Sequence, residues 1–291
     1  MSAGRESAPA PSRSPGPVLG ANGLALAAIA LWSTLASLGV ALAHVPPFLL
    51  TGLALVIGSV PAWPLVARWR VPPATLVLGV YGLFGFHLLL FLALRHAPPL
   101  EANVVNYLWP LLIVVLAPLM LKGVRMTPLH LAAALVGCAG AALAITGGRT
   151  LSGGLAWGHL PALGSAVIWA TYSLGTRRVA PFPTAAVGLF ALVSGLLSLA
   201  CHAVLEPSVA LSGRDWLLVV AAGLGPLGAA FYLWDAALKR GDARQIGTLA
   251  YATPVLSTLL LSATTGLPIG VWTVVGGALV IGAAIVGVRA R

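Results

Sequence analysis

The sequence predicts an all-α membrane protein whose ten transmembrane helices form two five-helix repeats of inverted topology. Three observations support this prediction: a composition too apolar for a water-soluble surface, ten apolar runs of spanning length, and motifs that recur in both halves. Of the 291 residues, 59% are hydrophobic and only 8% are charged, and the mean hydropathy is +1.00. A soluble domain carries about 25% charged residues, so this chain needs lipid around most of its surface.

Each apolar run is long enough to cross a bilayer, which takes roughly 20 apolar residues. Lipid permits only helices or closed barrels, and continuous apolar runs favour helices over alternating strands. In order, the runs cover residues 20–43, 47–66, 75–95, 101–121, 127–147, 155–175, 184–204, 214–238, 243–263 and 269–288. Short connections such as "HVPPF" and "KGVRMTP" join them and leave no room for a soluble domain.

The chain is predicted to have three parts. Residues 1–19 are rich in Pro, Ser and Ala and are expected to form a disordered cytoplasmic segment. Residues 20–148 hold the first five spans, and residues 155–288 hold the second five. The run at 20–43 is too long for a signal-peptide core, so we expect it to be retained as a span.

Charge is distributed unevenly between the two sides of the predicted membrane domain. Of the 16 Lys and Arg residues, only Arg95, Arg149 and Arg214 fall on the side opposite the N-terminus. The other thirteen lie at the termini or in every second connection, so the positive-inside rule predicts that both termini are cytoplasmic. The net charge of +10 then forms a cytoplasmic rim, and nucleic-acid binding is rejected as its explanation.

Motifs recur in the same order in the two halves. "ALWST" at 30–34 matches "VIWAT" at 167–171, and "LRHAPPLEANVVNYLWP" lies over "LKRGDARQIGTLAYATP" with Pro110 opposite Pro254. Because each half holds five spans, an odd number, the second half must enter the membrane in the opposite direction. Repeats of this inverted kind are typical of secondary transporters.

These halves resemble the EamA-type transporters of the drug/metabolite transporter superfamily, over essentially the whole chain from about residue 20. Within that family, "EANVVNYLWPLLIVV" is most similar to the aromatic amino acid exporter (YddG-type) branch. The resemblance implies ten helices around a central cavity, and export of small metabolites across a bacterial inner membrane. Lys122-Gly123 and Thr265-Gly266 stand where the wider family often has Gly-Glu, which favours a specialised branch.

A polar and aromatic stripe runs along the fourth span. Asn103, Asn106, Tyr107 and Pro110 fall within an arc of roughly 100°, with Trp109 about 60° beyond Asn106. Lipid would leave an amide unpaired at a cost of several kcal/mol. Two interpretations of the Asn residues remain open, namely hydrogen bonding between helices and lining of a wet cavity. The rings of Tyr107 and Trp109 favour the cavity.

The tryptophans separate by depth. Six of them lie near span ends and are therefore predicted to be interface anchors: Trp63, Trp69, Trp157, Trp216, Trp234 and Trp272. The other three, Trp32, Trp109 and Trp169, lie well inside their spans. Trp32 and Trp169 are also repeat mates, so we expect them to approach the centre from opposite halves. Packing would explain any single one, but the three together favour a cavity wall.

Few ionisable groups lie inside the spans. His87 is either a buried, hydrogen-bonded histidine or a substrate-contacting one, and both interpretations stay open. Asp235 is expected to pair with Lys239 at i,i+4. Cys138 and Cys201 are predicted to be buried thiols. The resulting candidate substrate-binding residues are Trp32, His87, Asn103, Asn106, Tyr107, Trp109, Trp169, Tyr172 and Tyr251, with Pro110 and Pro254 as kink or gating residues.

Residues and motifs that the predicted spans lack exclude several functions. No basic residue lies mid-span to meet a phosphorylated cargo, no mid-span carboxylate beside a cavity motif suggests obligate ion coupling, and no Walker sequence predicts ATP use. We predict a monomeric metabolite exporter for aromatic amino acids, with the bilayer as its only other partner and without cofactor, metal or nucleic acid. A broader organic-cation exporter is the alternative, because tryptophan and tyrosine rings bind cations, and an intramembrane enzyme is a remote third.

Overall fold

The computed structural model describes residues 20–151, 154, 156–266 and 268–290, and the regular structure of these residues is helical throughout. The predicted disordered segment 1–19 lies outside the described residues. Eight helical segments of the described chain are long and apolar enough to cross a membrane. They are α1 (Ala21–Ala41), α2 (Pro47–Trp69), α3 (Pro73–His96), α4 (Pro99–Met120), α5 (Pro128–Thr146), α7 (Thr184–Leu205), α8 (Gly213–Arg240) and α9 (Ala243–Thr265).

Two further apolar helices complete the set, α6 (His159–Gly175) and α10 (Val271–Arg289). All ten helices fall on the ten predicted runs, so the all-α fold predicted from composition and repeats is confirmed. Because the connections are short, successive helices run antiparallel. We call the face that carries the start of α1 and the connections after α2, α4, α6 and α8 the basic face, and the other face the distal face.

Helix starts follow familiar capping chemistry. Pro is the first residue of α2, α3, α4 and α5, where its missing N–H costs nothing. In the second half, the Ser212 hydroxyl accepts from Asp215 N at 3.2 Å while the Asp215 carboxylate accepts from Ser212 N at 2.9 Å, a capping box. Asp242 caps α9 on the basic face. Burial disfavours its charge, but hydrogen bonds from Arg244 outweigh that effect and hold the pKa of Asp242 below its ordinary value.

Several helices are interrupted near their middles, at matching places in the two halves. A π-helical turn at Tyr81–Gly85 interrupts α3, and another at Gly225–Ala229 interrupts α8. The offset between them, 144 residues, is the one that relates Tyr107 to Tyr251. At those two residues α4 and α9 also break, each just before its proline. Such breaks are tolerated in a membrane where the freed backbone lies inside the protein or lines a cavity.

The repeats pack against each other through small residues. The most extensive helix contacts join α5 with α10 and α2 with α7, which are corresponding helices of the two halves. At the first crossing, a Cβ atom on Gly276 would lie 2.5 Å from the Gly140 carbonyl oxygen. At the second, a Cβ on Gly195 would lie 2.9 Å from the Gly52 oxygen. Lipid provides no hydrophobic force between helices, so such close backbone approach supplies the packing.

Replacement of Gly276 by Val should therefore destabilise the bundle by about 1–3 kcal/mol, lowering the apparent unfolding temperature in detergent by roughly 2–10 °C. Gly282→Val on the same helix is the matched control, because nothing lies within 4 Å of a Cβ at Gly282. The two variants carry the same change in helix propensity. Equal melting temperatures for them would contradict the close α5–α10 crossing.

Candidate binding cavity

A cavity of about 380 Å³ lies between the two halves, within the size range of small-molecule sites. Its lining comes from the middle of the bundle and from the distal half. Along α1 and the residue after it, the lining runs from Trp32 to Leu42; on α2 it starts at Pro47, and on α3 it ends at Phe91. The cavity therefore extends from the centre towards the distal face.

The basic half of the bundle is filled with side chains. Ile29 of α1, Leu174 of α6 and Ile246 of α9 are all fully buried there. They belong to one apolar cluster that also contains the tryptophans at the inner end of the cavity. The described structure is accordingly open towards the distal face and closed towards the basic face.

The structure brings most of the predicted site residues together. Those that line the cavity are Trp32, His87, Asn103, Asn106, Tyr107, Trp109 and Trp169. Tyr172 does not line it but packs behind Trp169, with ring centroids 5.4 Å apart. Pro110 is buried at the start of the second segment of α4, and Pro254 occupies the corresponding place in α9.

Tyr251 is a predicted site residue that does not line the cavity. It is fully buried in a separate cluster with Ala141 of α5 and Val280 of α10. A Cβ atom on Gly137 would lie 2.5 Å from the Tyr251 ring, so the missing side chain at Gly137 makes room for it. The repeat equivalence of Tyr107 and Tyr251 thus does not extend to their surroundings.

Three tryptophans line the inner end of the cavity and a fourth, Trp234, packs against two of them. We call Trp32, Trp109, Trp169 and Trp234 the tryptophan cluster. The Trp32 ring centroid lies 5.7 Å from Trp169, 6.3 Å from Trp109 and 5.1 Å from Trp234. The contacts of Trp32 with Trp109 and Trp169 are edge-to-face, a geometry that the quadrupoles of aromatic rings favour. Repeat mates Trp32 and Trp169 meet at the centre, as expected.

The prediction that Trp234 anchors the membrane interface is wrong. Trp234 is only 1% exposed, packs on Trp32, and donates from Nε1 to the Ser173 hydroxyl at 3.1 Å. The error arose because α8 extends to Arg240, two residues beyond the predicted run. Phe231, three residues earlier on the same helix, does line the cavity; this i,i+3 aromatic pair is the signal that marks the inward face. By contrast, Trp216 is 46% exposed, as an anchor should be.

The polar side chains that line the cavity are amides, hydroxyls and the imidazole of His87. His87 Nδ1 lies 2.6 Å from the Leu83 carbonyl oxygen, and since a carbonyl only accepts, Nδ1 carries a proton. In the neutral imidazole, Nε2 is then an acceptor. Sequence reasoning missed Thr51, Thr253 and Ser257, which also line the cavity. Hydroxyl residues in spans are common, and nothing in their spacing distinguishes these three.

Charged groups lie outside the cavity, and none of the described lining residues is Asp, Glu, Lys or Arg. Asp235 and Lys239 form the predicted pair at 2.6 Å near the basic face. At the distal face, Glu206 accepts from the backbone N–H groups of Phe48 and Leu49 at the start of α2. Among the described residues, no group of three or more His, Cys, Asp or Glu could hold a metal ion.

Comparison with known proteins adds three findings. The EamA-like transporter family matches residues 19–146 and again residues 156–289. The aromatic amino acid exporter YddG of Ancylobacter novellus is 47% identical over 269 residues, which is 87% of this chain and 93% of that protein. An uncharacterized transporter, YyaM of Bacillus subtilis, is 29% identical over 216 residues, covering 71% of this chain and 70% of that one.

A solved crystal structure is also similar. It shares 43% sequence identity with this chain and superposes with a TM-score of 0.86. The similarity covers 92% of this chain and 97% of the other. The likeness therefore extends over both halves of the helical bundle.

Truncation of Trp234 tests its place in the tryptophan cluster. Because the ring is buried among other rings, Trp234→Ala should cost about 3–5 kcal/mol of stability, measured as a fall in apparent melting temperature in detergent. Trp216→Ala, on the same helix and half exposed, should change stability by about 0.5 kcal/mol or less. If both variants had the same melting temperature as the wild type, Trp234 would not be part of a packed cluster.

Proposed function

The chain belongs to the EamA-like transporter family, and we propose that it exports aromatic amino acids by alternating access. The observation that carries the substrate proposal is the cavity itself, in which aromatic rings and neutral polar groups are combined and charged side chains stay at the ends of the bundle. The name of the Ancylobacter relative, which covers most of this chain, supports the same substrate class.

The chemistry of the lining suits an aromatic amino acid. Rings from Phe86, Trp109, Trp169 and Phe231 provide apolar contact for a substrate ring, with stacking of about 0.5–1.5 kcal/mol beyond area burial. An amino acid is a zwitterion with no net charge, so its head group needs hydrogen-bond donors and acceptors more than a counter-ion. Asn, His and Thr side chains at the same cavity supply both.

Alternating access is supported by an asymmetry between repeat mates. In α1 the helix is interrupted at Ser33 and Thr34, and the segment Leu35–Ala41 beyond them has no buried side chain. Its mate α6 continues unbroken to Gly175, and its last turn is buried. In inverted repeats the two halves can exchange such conformations, which would close the distal face and open the basic face.

The orientation of the transporter follows from charge. We assign the basic face and both termini to the cytoplasm and the distal face to the periplasm of a bacterial inner membrane. In this orientation the structure is outward-open. Residues 20–148 and 155–288 act as the two repeats, the functional unit is a monomer, and no ATP is needed.

Transport by the full chain in lipid vesicles tests the substrate. Labelled L-tryptophan should enter vesicles that contain the wild type, and Trp109→Ala should slow that transport roughly tenfold, because a ring contact worth about 1.4 kcal/mol is lost. Trp157→Ala is the control, since Trp157 is 60% exposed and lies outside the cavity.

If Trp109→Ala and Trp157→Ala transported tryptophan at equal rates at matched protein levels, Trp109 would not contact the substrate. A permanently charged bipyridinium compound, run beside tryptophan, tests the broader organic-cation exporter. Transport of that cation without transport of tryptophan would overturn the aromatic amino acid proposal.

Reporter fusions test the orientation. A fluorescent protein joined after the last residue should fluoresce and alkaline phosphatase at the same point should be inactive, because only the cytoplasm supports the first and only the periplasm the second. Fusions truncated after Gly154, which follow five spans, should behave in the opposite way. An active phosphatase at the C-terminus would reverse the assignment of the two faces.

A further inference from the structure

Asn106 is held by a residue that does not reach the cavity. Its Oδ1 atom accepts a hydrogen bond from the Ser165 hydroxyl at 2.8 Å. Ser165, on α6, is fully buried, and its hydroxyl also lies 2.7 Å from the Ala162 carbonyl oxygen. Because the oxygen end of the Asn106 amide points to Ser165 of α6, the nitrogen end of the amide points away from Ser165.

The nitrogen end of this amide is available to a ligand. Asn106 lines the cavity although the residue is only 5% exposed. Among the described residues, no protein group accepts from its Nδ2 atom, and this atom is not among those sealed off from solvent. A donor enclosed in a helical bundle, without a protein partner but open to a cavity, needs an acceptor from water or from a bound ligand.

The chemistry around Asn106 indicates which acceptor. Asn103, one turn earlier on α4, brings a second amide to the same wall. Amide N–H groups donate, and charge-assisted bonds to a carboxylate are stronger than those to a neutral acceptor. His87, with its proton held at Nδ1 by Leu83, offers an acceptor at Nε2 instead, which suits an ammonium group.

We propose that the Asn106 amide nitrogen binds the α-carboxylate of the substrate, and that Ser165 is a positioning residue that fixes the direction of this amide. The proposal rests on the proposed transport of amino acids and adds the part of the substrate that Asn106 recognises. It makes the carboxylate a requirement for tight binding. An aromatic amine with the same ring and a neutral head group in place of the carboxylate should bind without help from Asn106.

The experiment compares two substrates, labelled L-tryptophan and labelled L-tryptophan amide, in vesicles that contain the full chain. Asn106→Leu removes the donating nitrogen without adding a charge and keeps a side chain of similar size. It should raise KM for tryptophan about tenfold or more and leave KM for the amide within about twofold. Ser165→Ala frees the Asn106 amide to rotate and should raise KM for tryptophan about threefold to tenfold, again with little effect on the amide.

Ser198→Ala is the matched control. Ser198 is also fully buried in a helix, and its hydroxyl has no hydrogen-bond partner among the described residues, so its loss should change neither KM. If Ser165 had only a structural role, Ser165→Ala would change KM for the two substrates equally. That result, or unchanged KM values in both variants, would overturn the proposal. Wild-type protein that transports neither compound would instead refute the proposed function.

Discussion

The contact on which the rest of the structure depends is the meeting of Trp32 with four rings from three other helices. Its ring touches Trp109 of α4, Trp169 of α6, and Phe231 and Trp234 of α8. This one cluster forms the inner end of the cavity and closes the path to the basic face. Because its members come from both repeats, a change in how the repeats meet must rearrange the end of the cavity at the same time.

Much of the fold was predictable because lipid leaves few choices. A chain with 8% charged residues must place its apolar runs in a bilayer, and ten such runs dictate ten helices. Asn103, Asn106 and Tyr107 were also recognisable, since polar groups in an apolar span need a partner or a cavity. Trp234 and Tyr251 were not, because depth and facing depend on breaks in the helices. The π-helical turns and the interruptions at Tyr107 and Tyr251 leave no clear mark in hydropathy.

The separation of charge from the cavity shapes what the protein can do. Ion pairs such as Asp235 with Lys239 lie at the ends of helices, where they fix connections and helix termini. The centre relies on amides, hydroxyls, one histidine and aromatic rings. A site of this kind selects by shape and by the arrangement of dipoles, and it releases its ligand without having to break a buried salt bridge.

The two π-helical turns have a consequence for register. Each such turn accommodates one residue more than an α-helix would in the same rise, so everything after it is rotated by about 100° relative to an uninterrupted helix. In α3 that rotation carries Phe86 and His87, and in α8 it carries Phe231 and Trp234. Loss of a single residue from either turn would leave the helix intact yet swing those rings towards the acyl chains. The number of residues in each helix therefore decides which side chains face the cavity, as much as the residue types do.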